Sequence, residues 1–300
     1  MLPSSLVVEK ETTQDPLLKR ISKVIKETVE VHMDTDEEAS KEEVVKKALE
    51  LYMESRDSVA PTICDFADHV LKGTGEGTKL LFLARDALGV YEASTILLDR
   101  FPQKYREIPQ ESLVYVYLNR KVMFNSDPQD IFRYLKQEGL GQGDQVNIVD
   151  IGMYGTIINP LKKILSLRDI GVTNVKFLIS RSDVAEGFID DGRDKQMKAF
   201  PRISGNLAVH FMEDTFSGYV KSPSKLVRTQ NPTALQPDTI DQKYGFPEIL
   251  YRHVAIQAIK DYAAAVEYRE VGNISEHIEK LDTLLCDANR LKRIMIQHEN

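Results

Sequence analysis

Between Thr78 and Ile179, apolar runs of strand length alternate with stretches of helical spacing. Lys79 to Ala84, Leu113 to Leu118, Val146 to Asp150 and Val175 to Ile179 are short and almost continuously apolar. That is the pattern of strands buried on both faces, where period-two alternation is lost. Leu88 to Phe101, the stretch from Pro128 to Gly139, and Ile157 to Leu167 carry apolar residues at three-to-four spacing, which predicts helices. Asp127-Pro128 places a proline in the first helical turn, where its missing N–H costs nothing. Four strands separated by helices predict an α/β fold with an open, mostly parallel sheet flanked by helices.

Both ends of the chain read as helical additions. Leu17, Leu18, Ile21, Ile25 and Val29 form an apolar stripe within Leu17 to Val31. Ser40-Lys-Glu-Glu43 is a capping-box pattern and predicts a helix from there to about Ser55; Pro61 to Leu71 predicts another. Lys72-Gly-Thr-Gly-Glu-Gly77 follows no strand, so a linker or helix C-cap is expected in place of a phosphate loop. Asp190-Asp191-Gly-Arg193 reads as an exposed turn, Leu207 to Phe216 as a helix, and the serine- and proline-containing stretch from Ser217 to Pro237 as a loop, acceptor-facing or a lid. From Pro247 onward the chain reads as helical, with Ile249, His253, Ile256, Ile259 and Tyr262 on a face expected to pack against the sheet, and a last helix from Ser275. The expected division is a helical region 1–77, an α/β core 78–222, and a loop with helices 223–300.

Composition narrows the function classes. With 42% hydrophobic residues in 300, the chain can bury a sizeable core. A net charge of -7 argues against a general nucleic-acid binder, which needs a basic surface to displace counterions. There is no long apolar run, and Glu9-Lys10-Glu11 follows the short stretch Met1 to Val8, so neither a membrane span nor a signal peptide is read and a cytoplasmic location is expected. Cys64 and Cys286 lack partners at ligand spacing and are expected to be free thiols in apolar faces.

Candidate chemistry gathers at the strand ends. Each apolar run turns polar at its C-terminal end: Arg85 and Asp86; Asn119, Arg120 and Lys121; Asp150 with Gly152, Tyr154, Gly155 and Thr156; Ser180 with Arg181. If the strands are parallel neighbours, these groups share one edge, where open α/β sheets bind ligands. The stretch Val146 to Thr156 reads as strand, glycine loop and helix N-terminus, whose unpaired N–H groups suit a phosphate. Glycine there also serves a strand that must simply turn into a helix. Asp150 is placed to meet a sugar hydroxyl or, with Asp86, a Mg2+ ion. His210, Glu213 and Asp214 fall within one turn of the expected helix and form an acid/base or metal candidate.

Three resemblances attach to these residues. The haloacid-dehalogenase-like phosphohydrolases end their first strand in D-x-D; here Asp86-Ala87-Leu88 supplies the nucleophile and lacks the second acid. The order of parts resembles the type I phosphoribosyltransferases: Leu80 to Asp86, Leu118-Asn-Arg-Lys121, and Val146 to Thr156. That resemblance implies a Rossmann-like core, Mg2+, and 5-phosphoribosyl diphosphate (PRPP) as donor. It places Asp150 on the ribose hydroxyls, Gly152, Tyr154, Gly155 and Thr156 on the 5-phosphate, and Arg85, Arg120 and Lys121 on the diphosphate. Asp86 or the His210/Glu213 pair would act as base toward an acceptor hydroxyl. The chain departs from that family in a single acid, Asp150 followed by Ile151, and in a shorter loop with Tyr154 where threonine is common. Val59-Ala-Pro-Thr62, Phe82 to Asp86, Tyr117 to Lys121, Tyr134 to Gly139, Val149 to Thr156 and His210 to Asp214 are also similar to domains found with bacterial polysaccharide glycosyltransferases, which implies a glycan acceptor. A non-catalytic phosphosugar-binding domain remains the alternative outside enzymes.

Overall fold

The computed structural model describes residues 15–33, 38–84, 86–105, 108–153, 155–180, 184–190, 211–212, 215, 223–231, 233–238, 244–268, 271 and 274–295. It is a Rossmann-like α/β fold. Helices α1 (Pro16–His32), α2 (Glu38–Glu54) and α3 (Ala60–Lys72) precede strand β1 (Thr78–Ala84) and helix α4 (Leu88–Arg100). Then come β2 (Leu113–Tyr117), α5 (Arg120–Asn125), α6 (Pro128–Gln137), β3 (Gln145–Met153), α7 (Ile158–Ser166), β4 (Gly171–Ser180) and β5 (Glu186–Asp190). A two-stranded ribbon, β6 (Leu226–Arg228) with β7 (Leu235–Pro237), leads to α8 (Phe246–Ala265), α9 (Ile274–Cys286) and α10 (Ala288–Ile294).

The sheet has five strands in the order β2-β1-β3-β4-β5. Every neighbouring pair is parallel, including Phe82 opposite Val149 across β1 and β3. Alternation along each strand divides the core. Leu80 and Phe82 of β1 and Val149 and Ile151 of β3 join one apolar cluster, with α3, α4 and the terminal helices. Leu81, Leu83, Val146 and Ile148 join a second, with α6, α7 and the ribbon residues Leu226 and Leu235. Successive side chains of a strand point to opposite faces, so an apolar run fills both layers.

The structure departs from the sequence reading at several places. A fifth strand, β5, was not expected; it includes Asp190, the first residue of the expected exposed turn, and the rest of that turn lies outside the described residues. The stretch around 226–237 is the β6–β7 ribbon, with β7 docked on α6 through paired hydrogen bonds between the Gln137 amide and the Leu235 backbone at 2.9 and 2.8 Å. Helix α2 starts at Glu38, so Ser40 lies inside it and does not cap it. Ser55–Val59 is a π-helical turn that runs straight into α3, so the helices expected to be separate there are joined. Cys64 is buried as expected, but Cys286 is exposed.

Helix α8 is the largest correction. It buries Leu250, Tyr251, Arg252, Val254, Ala255, Ile256, Ala258, Ile259 and Ala263, which wrap around the helix, whereas His253 is exposed. Its main neighbours are α4, α2 and α3 and not the sheet. A helix covered by other helices is apolar nearly all round, and a single-face reading of its sequence fails for that reason.

Buried polar pairs fasten the helical layer. His277 Nδ1 of α9 lies 2.7 Å from Asp65 Oδ2 of α3, both buried, and the Tyr105 hydroxyl donates to Asp68 at 2.6 Å. Removing one member of such a buried pair costs about 3–5 kcal/mol, because the other is left without compensation.

Candidate functional site at the carboxyl edge of the sheet

Because all five strands are parallel, their carboxyl ends lie along one edge. The strand order reverses between β1 and β3, which is where doubly wound sheets open a crevice for ligands. Asp86 lies two residues beyond the end of β1 and is half-buried; Asp150 lies in β3, half-buried, one residue beyond the Val149 that pairs with Phe82. Asp150 Oδ1 accepts from the Ile151 N–H at 2.8 Å, which fixes the carboxylate against its own strand.

Asn119 is the N-cap of α5. Its Oδ1 accepts from the Val122 N–H at 2.9 Å, and its Nδ2 donates to the Pro223 carbonyl at 2.9 Å. Its cap bond fixes the start of the helix, and Arg120 and Lys121 are then the first two helical residues, both exposed. The short helix also holds the segment leading to the ribbon, through Asn125 to the Ser224 carbonyl at 3.1 Å and the Leu226 N–H to Ser126 Oγ at 2.9 Å. Sequence alone showed no helix here, because six residues are too few to display a period.

Arg120 reaches from the end of β2 to the loop after β3. Its Nε and Nη2 both donate to Thr156 Oγ1, at 3.3 and 3.2 Å. The strand between β2 and β3 is β1, so this contact spans the carboxyl end of the strand that Asp86 follows.

The glycine loop has structural reasons of its own. Gly152 belongs to β3, not to the loop after it, and has φ of +104°; a Cβ there would lie 2.4 Å from the Ile179 carbonyl oxygen. Gly155 has φ of +61°, and its Cβ would lie 2.4 Å from Val184 Cγ2. Both conformations disfavour other residues, and both glycines let β3 and its exit approach β4. Helix α7 follows with Ile157 at the capping position and no side-chain cap, so its first N–H groups keep no side-chain partner from that residue.

Of the residues singled out by sequence, Arg85, Tyr154, Arg181, His210, Glu213 and Asp214 lie outside the described residues. Phe211 and Met212, beside the last three, are helical and join the apolar cluster on the α4 side of the sheet. Among the described residues no group of three or more His, Cys, Asp or Glu could hold a metal by itself, and no helix is long and apolar enough to cross a membrane.

Two polar groupings escaped the sequence reading. Lys176, buried in β4, has its Nζ 3.3 Å from His69 Nε2 and 3.9 Å from Glu186 at the start of β5. Burial, then the Lys176 charge, hold the His69 imidazole below its ordinary pKa. The other is Arg252, whose only signal in the sequence is an arginine set among Leu250, Tyr251, Val254 and Ala255. Elsewhere, a largely apolar cavity of about 630 Å³ lies between α1 and α8, lined by Ile21, Ile25, Leu250 and Val254 with His32 and His253.

No family model matches the chain, and no curated protein is significantly similar to it.

Proposed function

We propose that this chain is a Mg2+-dependent phosphoribosyltransferase, which binds PRPP at the carboxyl edge of the sheet and moves its ribosyl 5-phosphate to an acceptor hydroxyl of a glycan, releasing pyrophosphate. The observation that carries this reading is the Arg120–Thr156 contact across the end of β1. It brings the expected diphosphate-binding arginine to the expected 5-phosphate loop, beside two half-buried carboxylates at the point where strand order reverses. In this reading Arg120 and exposed Lys121 hold the diphosphate, Asp150 the ribose hydroxyls, and Gly155 and Thr156 the 5-phosphate. Asn119 serves by capping the helix that presents the two cations. Asp86 is the base nearest the end of β1; the roles of Arg85, Tyr154, Arg181, His210 and Glu213 rest on sequence.

The residues suit Mg2+ brought with its substrate. Mg2+ binds through one or two carboxylates plus substrate phosphates and not in an all-protein cage. Asp86 and Asp150 offer that number. The ion would neutralise charge on the departing diphosphate, while the protein's own contribution is to place donor and acceptor and to meet that charge with Arg120 and Lys121.

Incubation with PRPP, Mg2+ and a glycan acceptor is expected to release pyrophosphate as ribosyl 5-phosphate passes to the acceptor hydroxyl. Asp150→Ala and Lys121→Ala are each expected to lower turnover at least about tenfold, equivalent to about 1.4 kcal/mol of transition-state stabilisation. Near-normal turnover in both refutes the site assignment. Release of inorganic phosphate from sugar phosphates, abolished by Asp86→Asn, would instead support the haloacid-dehalogenase-like reading, and saturable binding without either product a phosphosugar-binding domain.

A further inference from the structure

Arg252 is fully buried in α8, yet most of its guanidinium has no acceptor. Nη2 donates to Glu248 Oε1 at 3.3 Å, one turn earlier, and the Tyr244 ring covers the group with its centroid 4.0 Å from Cζ. Nε and Nη1 have no hydrogen-bond partner. A guanidinium carries five N–H donors, of which these two nitrogens hold three. Glu248 is a weak counterweight, with a side chain 27% exposed and one long contact. A buried charge whose donors are left unpaired is costly, and folds keep one where another gain offsets it.

The position of Arg252 indicates what that gain is. Lys260 Nζ lies 3.2 Å from Glu92 of α4, and Arg100 of α4 donates to the carbonyls of Ala263 and Val266 at 2.7 and 2.6 Å. Helices α4 and α8 therefore run in the same direction, with the C-terminal half of α8 alongside α4 from Glu92 to Arg100. Arg252 precedes Lys260 by about 12 Å along α8, at 1.5 Å per residue. Helix α4 starts at Leu88, just after Asp86. The N-terminal part of α8 thus lies toward the end of the molecule where β1 and β3 finish.

We propose that Arg252 is an oxyanion-binding residue, whose unpaired N–H groups receive a phosphate or carboxylate group of a ligand entering from the carboxyl edge of the sheet beside Tyr244. Arginine suits this role because its planar fork matches both anions and its charge persists when desolvated. The contact is proposed for the anion alone, whether or not the ligand is PRPP.

The test is thermal unfolding of the full chain carrying Arg120→Ala and Lys121→Ala, which removes the diphosphate contacts proposed above, against inorganic phosphate, pyrophosphate and acetate, each titrated at constant ionic strength. A saturable rise in midpoint is expected with at least one of them; phosphates acting without acetate identify a phosphate ligand, and acetate acting alone a carboxylate. Arg252→Met is expected to abolish the rise while its ligand-free midpoint equals or exceeds that of the parent, since an apolar side chain replaces an uncompensated charge. No rise with any of the three anions, or a rise that survives Arg252→Met, overturns the proposal. If Arg252→Met does not fold, Arg252→Lys decides: a response displaced at least about tenfold in concentration supports the proposal, and an unchanged one overturns it. The readout does not involve turnover, so it stands or falls separately from pyrophosphate release.

Discussion

Gly152→Ala places a methyl group 2.4 Å from the Ile179 carbonyl oxygen and 2.6 Å from Cβ and Cγ of Phe177, at a φ of +104°. The conformation alone costs a non-glycine residue about 1–3 kcal/mol. The overlap adds about 1–3 kcal/mol, as for other overpacked sites. The carbonyl it strikes belongs to the β3–β4 ladder, where Gly152 is the register partner of Ile179, so relief requires strand movement and not a rotamer change. The sum, about 2–6 kcal/mol, is to be read against Gly77→Ala. Gly77 has φ of +71° with nothing within 4 Å of the added atom, so only the conformational term of about 1–2 kcal/mol applies. Gly155→Ala falls between, because the nearest atom, Val184 Cγ2, ends a side chain that can give way. Equilibrium urea unfolding of the three variants provides the ranking. A Gly152→Ala protein within about 0.5 kcal/mol of Gly77→Ala would refute the close approach of β3 to β4.

Two further outcomes are expected. The His69 imidazole has a folded-state pKa below its ordinary 6.5, because burial and the Lys176 charge oppose its protonation. The unfolded chain then takes up the proton first, so stability falls as pH drops through about 6.5 toward the folded pKa and is fully present above it. His253, on the exposed side of α8 but partly desolvated where it lines the cavity, shifts in the same direction, so His69→Gln is expected to lessen, not remove, the decline seen by denaturation between about pH 7 and 5; an unchanged slope refutes the His69 assignment. With a thiol reagent, folded protein is expected to label at exposed Cys286 and not at Cys64, whose burial raises the thiol pKa; peptide mapping that finds Cys64 modified at a comparable rate contradicts this.

What the sequence revealed and what it hid follow from how each element is covered. Strands β1 to β4 are enclosed by two helical layers, so they must be apolar on both faces and appear as continuous runs. Edge strand β5, Glu186-Gly-Phe-Ile-Asp190, has only two large apolar residues between its charged ends. The β6 and β7 strands have three residues each, too short for any period, and β7 contains Pro237. Helix α8 misled because its sequence records contact on several sides, while a one-face reading assumes a single side. At the site, Asp86, Asp150, Arg120 and Lys121 were legible because polarity begins where parallel strands end. Asn119 read as a ligand-binding residue, and its work as a helix cap was hidden, since a cap and a substrate contact draw on the same side-chain chemistry; the Val122 and Pro223 bonds reveal the cap. Arg252 was hidden because its importance depends on what covers it and on the direction of α8 relative to α4, both set by residues far away in the chain.

The proposed reaction depends on one location, the edge where β1 and β3 end. A crystal structure of the protein with PRPP and Mg2+ tests that most directly. The account predicts the 5-phosphate against the loop at Gly155 and Thr156, the ribose hydroxyls at Asp150, and the diphosphate between Arg120 and Lys121 with the metal at Asp86 or Asp150. A ligand seated instead in the cavity between α1 and α8, or beside His69 and Lys176, would contradict it.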